Sequence, residues 1–334
     1  MTVVTRGRRG TARRLGVVVL TLVGGLLGAP AYAVSPLAAP SPSGPAAPGT
    51  GHRVVAPPPP PQLPQQTVFV EVTPDQGSVI GVAYPLTAHF SAPIAHHAIA
   101  EAHMPVFVNG AFSRGAWFWR NATTAVFRQA SFWPARAHID VRLSLAGVEL
   151  GRTPTYRIVG SSTSTRGYSV RTSRSLVAYV DGKSDRMVVR IDGAVVKNFG
   201  VSLGKTGFET RSGIKAVMEK YVSRHMTSIA AGITDPKDQY DVVAPYSVRI
   251  TPTGEFVHGA PWAAARIGRW NGSHGCTNLL TDDAHWFFDH VLPGDPVITT
   301  GTNRPMDYWN GTGAPFNMPW SLWLAGSALK GARV

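Results

Sequence analysis

Of the 334 residues, 32 are Lys or Arg, 19 are Asp or Glu and one is cysteine, which gives a formal net charge of +13. A lone cysteine excludes an internal disulfide, and the charge favours an anionic partner. Nucleic acid is not that partner, because the basic residues are scattered and no recognition motif occurs.

In chain order, Arg6, Arg8, Arg9, Arg13 and Arg14 precede the apolar run Leu15 to Leu27 and the small-x-small pattern Ala31-Tyr32-Ala33, so residues 1–33 read as a secretory signal peptide. The run is short for a membrane span, which needs about 20 apolar residues; an uncleaved signal anchor is the alternative. The expected location is outside the cytoplasmic membrane, in the cell wall or periplasmic space. Without the five signal arginines the charge of +13 falls to +8, which suits an anionic wall polymer. Residues 34–66 are dominated by Pro, Ala, Gly and Ser, with an unbroken proline run from Pro57 to Pro61, and predict an extended linker without a core.

Residues 67–158 hold short strand-like runs between turn signals and no segment of helical period. In "HIDVRLSL" Ile139, Val141, Leu143 and Leu145 alternate with Asp140, Arg142 and Ser144, as in a strand with one buried face. The region predicts an immunoglobulin-like β-sandwich. Its histidines, His89, His96, His97, His103 and His138, lack companions at metal-ligand spacing.

Residues 165–300 predict a second, β-rich domain, so the fold class is mainly β. Asp192-Gly193 between apolar strands marks a hairpin, and "YSVRI" and "EFVHG" flank a second one at Thr251 to Gly254. A short helix follows: Thr281 is the predicted N-cap, Asp282 and Asp283 suit its first turn, Ala284, Phe287, Phe288 and Val291 share a face, and Pro293-Gly294 ends it. The tail, residues 301–334, carries Trp309, Trp320 and Trp323 and is expected to pack on this catalytic domain.

The lone thiol, Cys276, lies in "SHGCTN", a polar and flexible surround unsuited to a core strand, and so reads as a nucleophile rather than a small hydrophobe. A thiol of ordinary pKa, about 8.5, needs a histidine or a positive dipole to ionise at neutral pH. His258, at the end of a predicted strand, is the better-placed base, and His274 competes with it. Zinc would draw on Cys276, His258, His274, His285 and His290, but His285 and His290 are five apart and no CxxC or HExxH occurs. Neither metal nor cofactor is expected.

"HGAPW" at 258–262, "SHGCTN" at 273–278 and the helix "TDDAHWFFDHV" together resemble the YkuD-type L,D-transpeptidases, above all the actinobacterial enzymes that carry a preceding immunoglobulin-like domain. The resemblance runs from near Tyr168 to "FNMPWSLWLAG" at 316–326. It implies that Cys276 is the nucleophile, His258 its base, and Gly275 with Cys276 the amide donors to an oxyanion. It implies further that His274 and Ser273 shape the motif loop, that Asn278 is the motif's terminal asparagine, that Trp262 and Tyr240 line the substrate pocket, and that Lys205 to Tyr240 form a lid with Met226 as a wall. Gly259 stands where the relatives tend to have serine, and since the family uses that residue's carbonyl to orient the imidazole, glycine should preserve the bond but hold it less rigidly. The implied substrates are peptidoglycan stem peptides, with carbapenem β-lactams as covalent inhibitors. L,D-carboxypeptidase action, D-amino-acid exchange and a non-catalytic wall-binding module are the alternatives.

Overall fold

The computed structural model describes residues 62–331; the predicted signal peptide and most of the predicted linker lie outside them. Among the described residues no helix is long and apolar enough to cross a membrane. Strand begins at Gln65–Val68, two residues inside the segment predicted as linker, because this strand pairs in parallel with Arg157–Gly160.

The first body is a sandwich. One sheet orders Val70–Thr73, Leu86–Phe90, Thr124–Arg128 and Ala116–Asn121; the other orders Val79–Ile80, Thr165–Thr172, His138–Ser144, Val106–Val108 and Ala111–Phe112. The predicted alternation holds, with Ile139, Val141, Leu143 and Leu145 all buried against Trp117, Phe127 and Leu86. Two corrections apply. Thr165–Thr172, expected in the catalytic domain, pairs from Thr165 to Arg171 with His138–Ser144 of the sandwich, where Tyr168 and Val170 fill the core. A helix, His97–Ala102, interrupts the strands; at six residues it is too short to show a period.

The second body packs two sheets and a helix around one core. Its first sheet runs Ala194–Gly200, Arg186–Ile191, Leu176–Asp181, Pro296–Thr300, Gly213–Ala216, and its second Glu219–Thr227, Asp241–Arg249, Phe256–Gly259, Thr277–Leu279. Both predicted hairpins form, the first turning at Asp192 and Gly193. The helix spans Thr281–His290 and buries Ala284 and Phe287. Thr281 is its first residue rather than its cap; Leu280 holds the cap position and offers no side-chain bond.

The tail departs from expectation. Its first part does join the catalytic domain, where Asn317 exchanges hydrogen bonds with the backbone of Ile214 at 2.7 and 2.8 Å. Its tryptophans do not follow. The helix Trp320–Ala325 lies on the outer face of the sandwich strand Ala116–Asn121, where Trp323 is fully buried, donates from Nε1 to the Ala116 carbonyl at 2.9 Å and packs on Phe118. The Arg128 guanidinium sits 4.4 Å from the Trp323 ring centroid and donates to the Met318 carbonyl at 2.6 Å; burial lowers its pKa to about 10. Glu101 accepts from Ser327 Oγ and the Ala328 and Leu329 amides, fixing the end of the tail. The physical reason is visible in "AWFWR": three consecutive aromatics put Phe118 on the face opposite the sandwich core, and that apolar surface needs a cover. Trp323→Ala is expected to cost about 3–5 kcal/mol, measured as a lower denaturation midpoint.

Candidate active site

The site is built on two parallel strands. Phe256–Gly259 pairs with Thr277–Leu279 so that His258 stands opposite Asn278, and Cys276 directly precedes the second strand. Strand alternation turns Asn278 and His258 to one face, and both line a cleft of about 660 Å³ with Cys276. The same cleft is lined by His274, Gly275, Ser273, Tyr240, Met226 and Trp262, so nine of the ten residues singled out in the sequence converge there.

Gly259 is the tenth, and it acts from outside the cleft. The His258 Nδ1 hydrogen faces the Gly259 carbonyl at 2.8 Å, which fixes the tautomer and leaves Nε2 as the basic nitrogen. A Cβ on Gly259 would meet Pro245 Cγ at 3.0 Å and Thr281 Cα at 3.3 Å, so close packing surrounds the residue whose carbonyl orients the imidazole. His258 is 4% exposed, and burial lowers its pKa to about 4 against the opposing bond to Gly259. Cys276 is half-buried; burial pushes its thiol up to about 12, the Phe256 amide opposes this, Glu255 adds to it and Lys215 offsets it. At neutral pH the resting site therefore holds a neutral thiol and a neutral imidazole. Its thiol lies 3.7 Å from the Gly254 carbonyl.

The motif loop is held by its own side chains. Gly275 takes φ of +118°, a conformation closed to most residues, while its carbonyl accepts from Thr210 Oγ1 at 2.9 Å. Ser273 Oγ donates to the Cys276 carbonyl at 2.6 Å and accepts from the Gly275 amide at 3.1 Å. The Gly275 amide, implied as an oxyanion donor, bonds here to a local hydroxyl in the manner of a Ser/Thr turn.

His274 is placed by rings rather than by a donor. Its ring centroid lies 4.8 Å from that of Phe208 and 4.9 Å from that of Tyr240, and its Nε2 is 3.7 Å from Asp238, too long for a hydrogen bond. Burial and then Lys205 lower its pKa, with Asp238 opposing. Asp238 is itself paired with Lys205. Burial raises the pKa of Tyr240, and the facing Cys276 adds to the rise. Trp262 stands 6.0 Å, centroid to centroid, from the His258 ring.

Sequence reasoning missed the cleft's cations, Lys205, Arg211, Arg266 and Arg304, and the wall residues Phe208 and Trp270. None carries a motif, although Trp262, Arg266 and Trp270 recur every four residues. Among the described residues no three His, Cys, Asp or Glu side chains converge as a metal site. His285 stacks on Tyr246 and His290 on Trp286.

Fold and cleft together define a class: an immunoglobulin-like domain followed by a β-rich domain whose parallel strand pair presents a cysteine and a neutral histidine. Residues 175–299 match the L,D-transpeptidase catalytic domain, and residues 62–149 match a bacterial Ig domain. L,D-transpeptidase 2 of Mycobacterium tuberculosis is 31% identical over 259 residues, 77% of this chain; the chain spans 62% of that relative's length. Probable L,D-transpeptidase 3 of the same species is 34% identical over 235 residues, 68% of this chain and 84% of its own. The solved structure of the LD transpeptidase LdtMt1 in complex with imipenem matches with a TM-score of 0.57 at 28% identity, covering 69% of this chain and 97% of that one. The chain belongs to the L,D-transpeptidase family.

Proposed function

We propose that this protein forms cross-links between the third residues of peptidoglycan stems, using a tetrapeptide donor and a Cys276 thioester. The observation that carries this reading is the pairing of a buried His258, its Nδ1 held by the Gly259 carbonyl and its Nε2 free, with a cysteine that directly precedes the adjoining parallel strand in one cleft. The thiol attacks the carbonyl of the third stem residue as His258 Nε2 takes its proton. The tetrahedral intermediate expels D-alanine, whose nitrogen receives that proton, and leaves a thioester. The amine of a second stem attacks the thioester, forms the new amide and returns the proton to sulfur through His258. Covalent catalysis thus divides one amide exchange into two easier steps. The Cys276 amide is the oxyanion donor in this reading, worth roughly 3 kcal/mol; the Gly275 amide joins only if Ser273 Oγ releases it.

The proton starts on sulfur, because the thiol is pushed far above neutrality and the imidazole far below it. His258 therefore acts as a general base during attack, and no preformed ion pair is required. Tyr240 and Met226 on the strand-flanked lid, with Trp262 opposite the imidazole, form the walls that seat the donor. The sandwich serves as a spacer that sets the catalytic domain within the wall, after export directed by residues 1–33 and reach supplied by the proline-rich segment; the residual positive charge favours anionic wall polymers. The imipenem complex of a relative supports carbapenems as covalent inhibitors.

Purified tetrapeptide and pentapeptide stems, each incubated with the full chain and analysed by mass spectrometry, test the reading. Released D-alanine and a dimer joined between two third residues are expected from tetrapeptide, and little product from pentapeptide. Shortened stems without dimer would make the protein an L,D-carboxypeptidase. Dimers from pentapeptide alone, joined through the fourth residue, would assign the wrong class of transpeptidase.

A further inference from the structure

Glu255 lines the cleft with Cys276, and its chain neighbour Gly254 turns its carbonyl to the sulfur, 3.7 Å from Sγ. A Cβ on Gly275 would lie 4.0 Å from Glu255 Cγ. The carboxylate itself is turned to two cations. Its Oε1 accepts from the Arg211 amide at 3.1 Å and from Arg211 Nη1 at 2.9 Å, and its Oε2 accepts from Lys215 Nζ at 3.0 Å. Lys215 also donates to the Arg211 carbonyl at 2.6 Å. Lys215 is 0% exposed and Glu255 4%.

Stability does not explain this network. Taking an ammonium and a carboxylate out of water costs about as much as their attraction returns, and a well-packed apolar replacement is often at least as stable. Lys215 occupies a core position of the strand Gly213–Ala216, next to the buried Ala216 and Val217, where an aliphatic side chain would serve packing as well. Buried charges whose environment perturbs a neighbouring thiol are, however, the pattern of a functional site.

We propose that Lys215 and Glu255 are a matched pair of positioning residues that set the ionisation of Cys276: the ammonium favours thiolate, the carboxylate favours thiol, and Arg211 holds the carboxylate between them. The inference rests on the reading of Cys276 as nucleophile. It goes beyond that reading by assigning the control of its proton to residues that touch neither stem nor imidazole. The other titratable and charged groups at this cleft are His258, His274, Tyr240, Lys205, Arg266 and Arg304, with Asp238 beside Lys205 and Asp307 at 3.8 Å from Arg211 Nε. None of these makes a hydrogen bond to Glu255 or Lys215; Arg211 alone bonds to both.

The test is the rate of Cys276 alkylation by iodoacetamide in the full chain between pH 6 and pH 9, where thiolate is the minor form and rate follows its fraction. Lys215→Met is expected to slow alkylation at each pH by about tenfold, Glu255→Gln to speed it by about tenfold, and the double variant to return near the parent rate, as opposed charge effects require. Lys215→Arg should keep the parent rate. A purely structural role would move both single variants in the same direction. Changes of like sign, or a Glu255→Gln rate at or below the parent's, would overturn the proposal. Should Lys215→Met fail to fold, Glu255→Gln alone decides by the same criterion. Alkylation needs no stem peptide, so a protein inactive on stems would overturn the transpeptidase reading without touching this one.

Discussion

Cys276→Ala is expected to fold like the parent and to lose all stem turnover. The change removes one sulfur from a half-buried loop position and leaves the Ser273 and Thr210 bonds that hold the loop intact, so little stability is at stake. The chemistry, by contrast, has no substitute, since the chain contains no other thiol. Intact mass after exposure to a carbapenem checks the assignment directly: the parent should gain one covalent adduct and Cys276→Ala none. An adduct or a cross-linked dimer from the variant would move the nucleophile elsewhere.

His258→Ala should slow acylation by roughly 10²–10⁴-fold, the range of lost acid–base assistance. The shifts at the site also fix the pH dependence. His258, lowered to about 4, remains a base down to that pH, and Cys276, raised to about 12, remains a thiol up to its own. Acylation of the parent by a carbapenem should therefore vary little between pH 5 and pH 9 and fall only as the imidazole protonates below that window. In His258→Ala the sole remaining route is spontaneous thiolate, so the residual rate should rise about tenfold per pH unit. His274→Ala should produce a smaller loss and keep the flat profile, because His274 is placed by Phe208 and Tyr240 and has no bond to the sulfur. A steep profile in the His274 variant combined with a flat one in the His258 variant would reverse their roles.

The site was legible because its residues cluster in two short motifs that a parallel strand pair brings side by side. Nine of ten named residues share the cleft, and Gly259 contributes its carbonyl from behind the imidazole. The Lys215 and Glu255 pair was not legible: a lysine in a β-strand reads as solvated until the fold buries it, and Glu255 reads as an ordinary hairpin residue. The fate of the Gly275 amide was equally hidden, since a serine two residues away can serve either as a loop filler or as a hydrogen-bond partner. In the fold, alternation located the sandwich strands, but Thr165–Thr172 went to the wrong body because pairing partners, not local pattern, decide which sheet a strand joins.

The tail's return to the sandwich makes residues that follow the catalytic domain part of the domain that precedes it. Ala116, Phe118, Val126 and Arg128 stay uncovered until Trp323 arrives, however early the rest of the sandwich has formed. A chain cut shortly after Thr300 would keep every catalytic strand and still expose an aromatic face. Such a fragment would offer proteases and aggregation partners a surface that the docked tail keeps covered, so resistance to degradation depends on that docking.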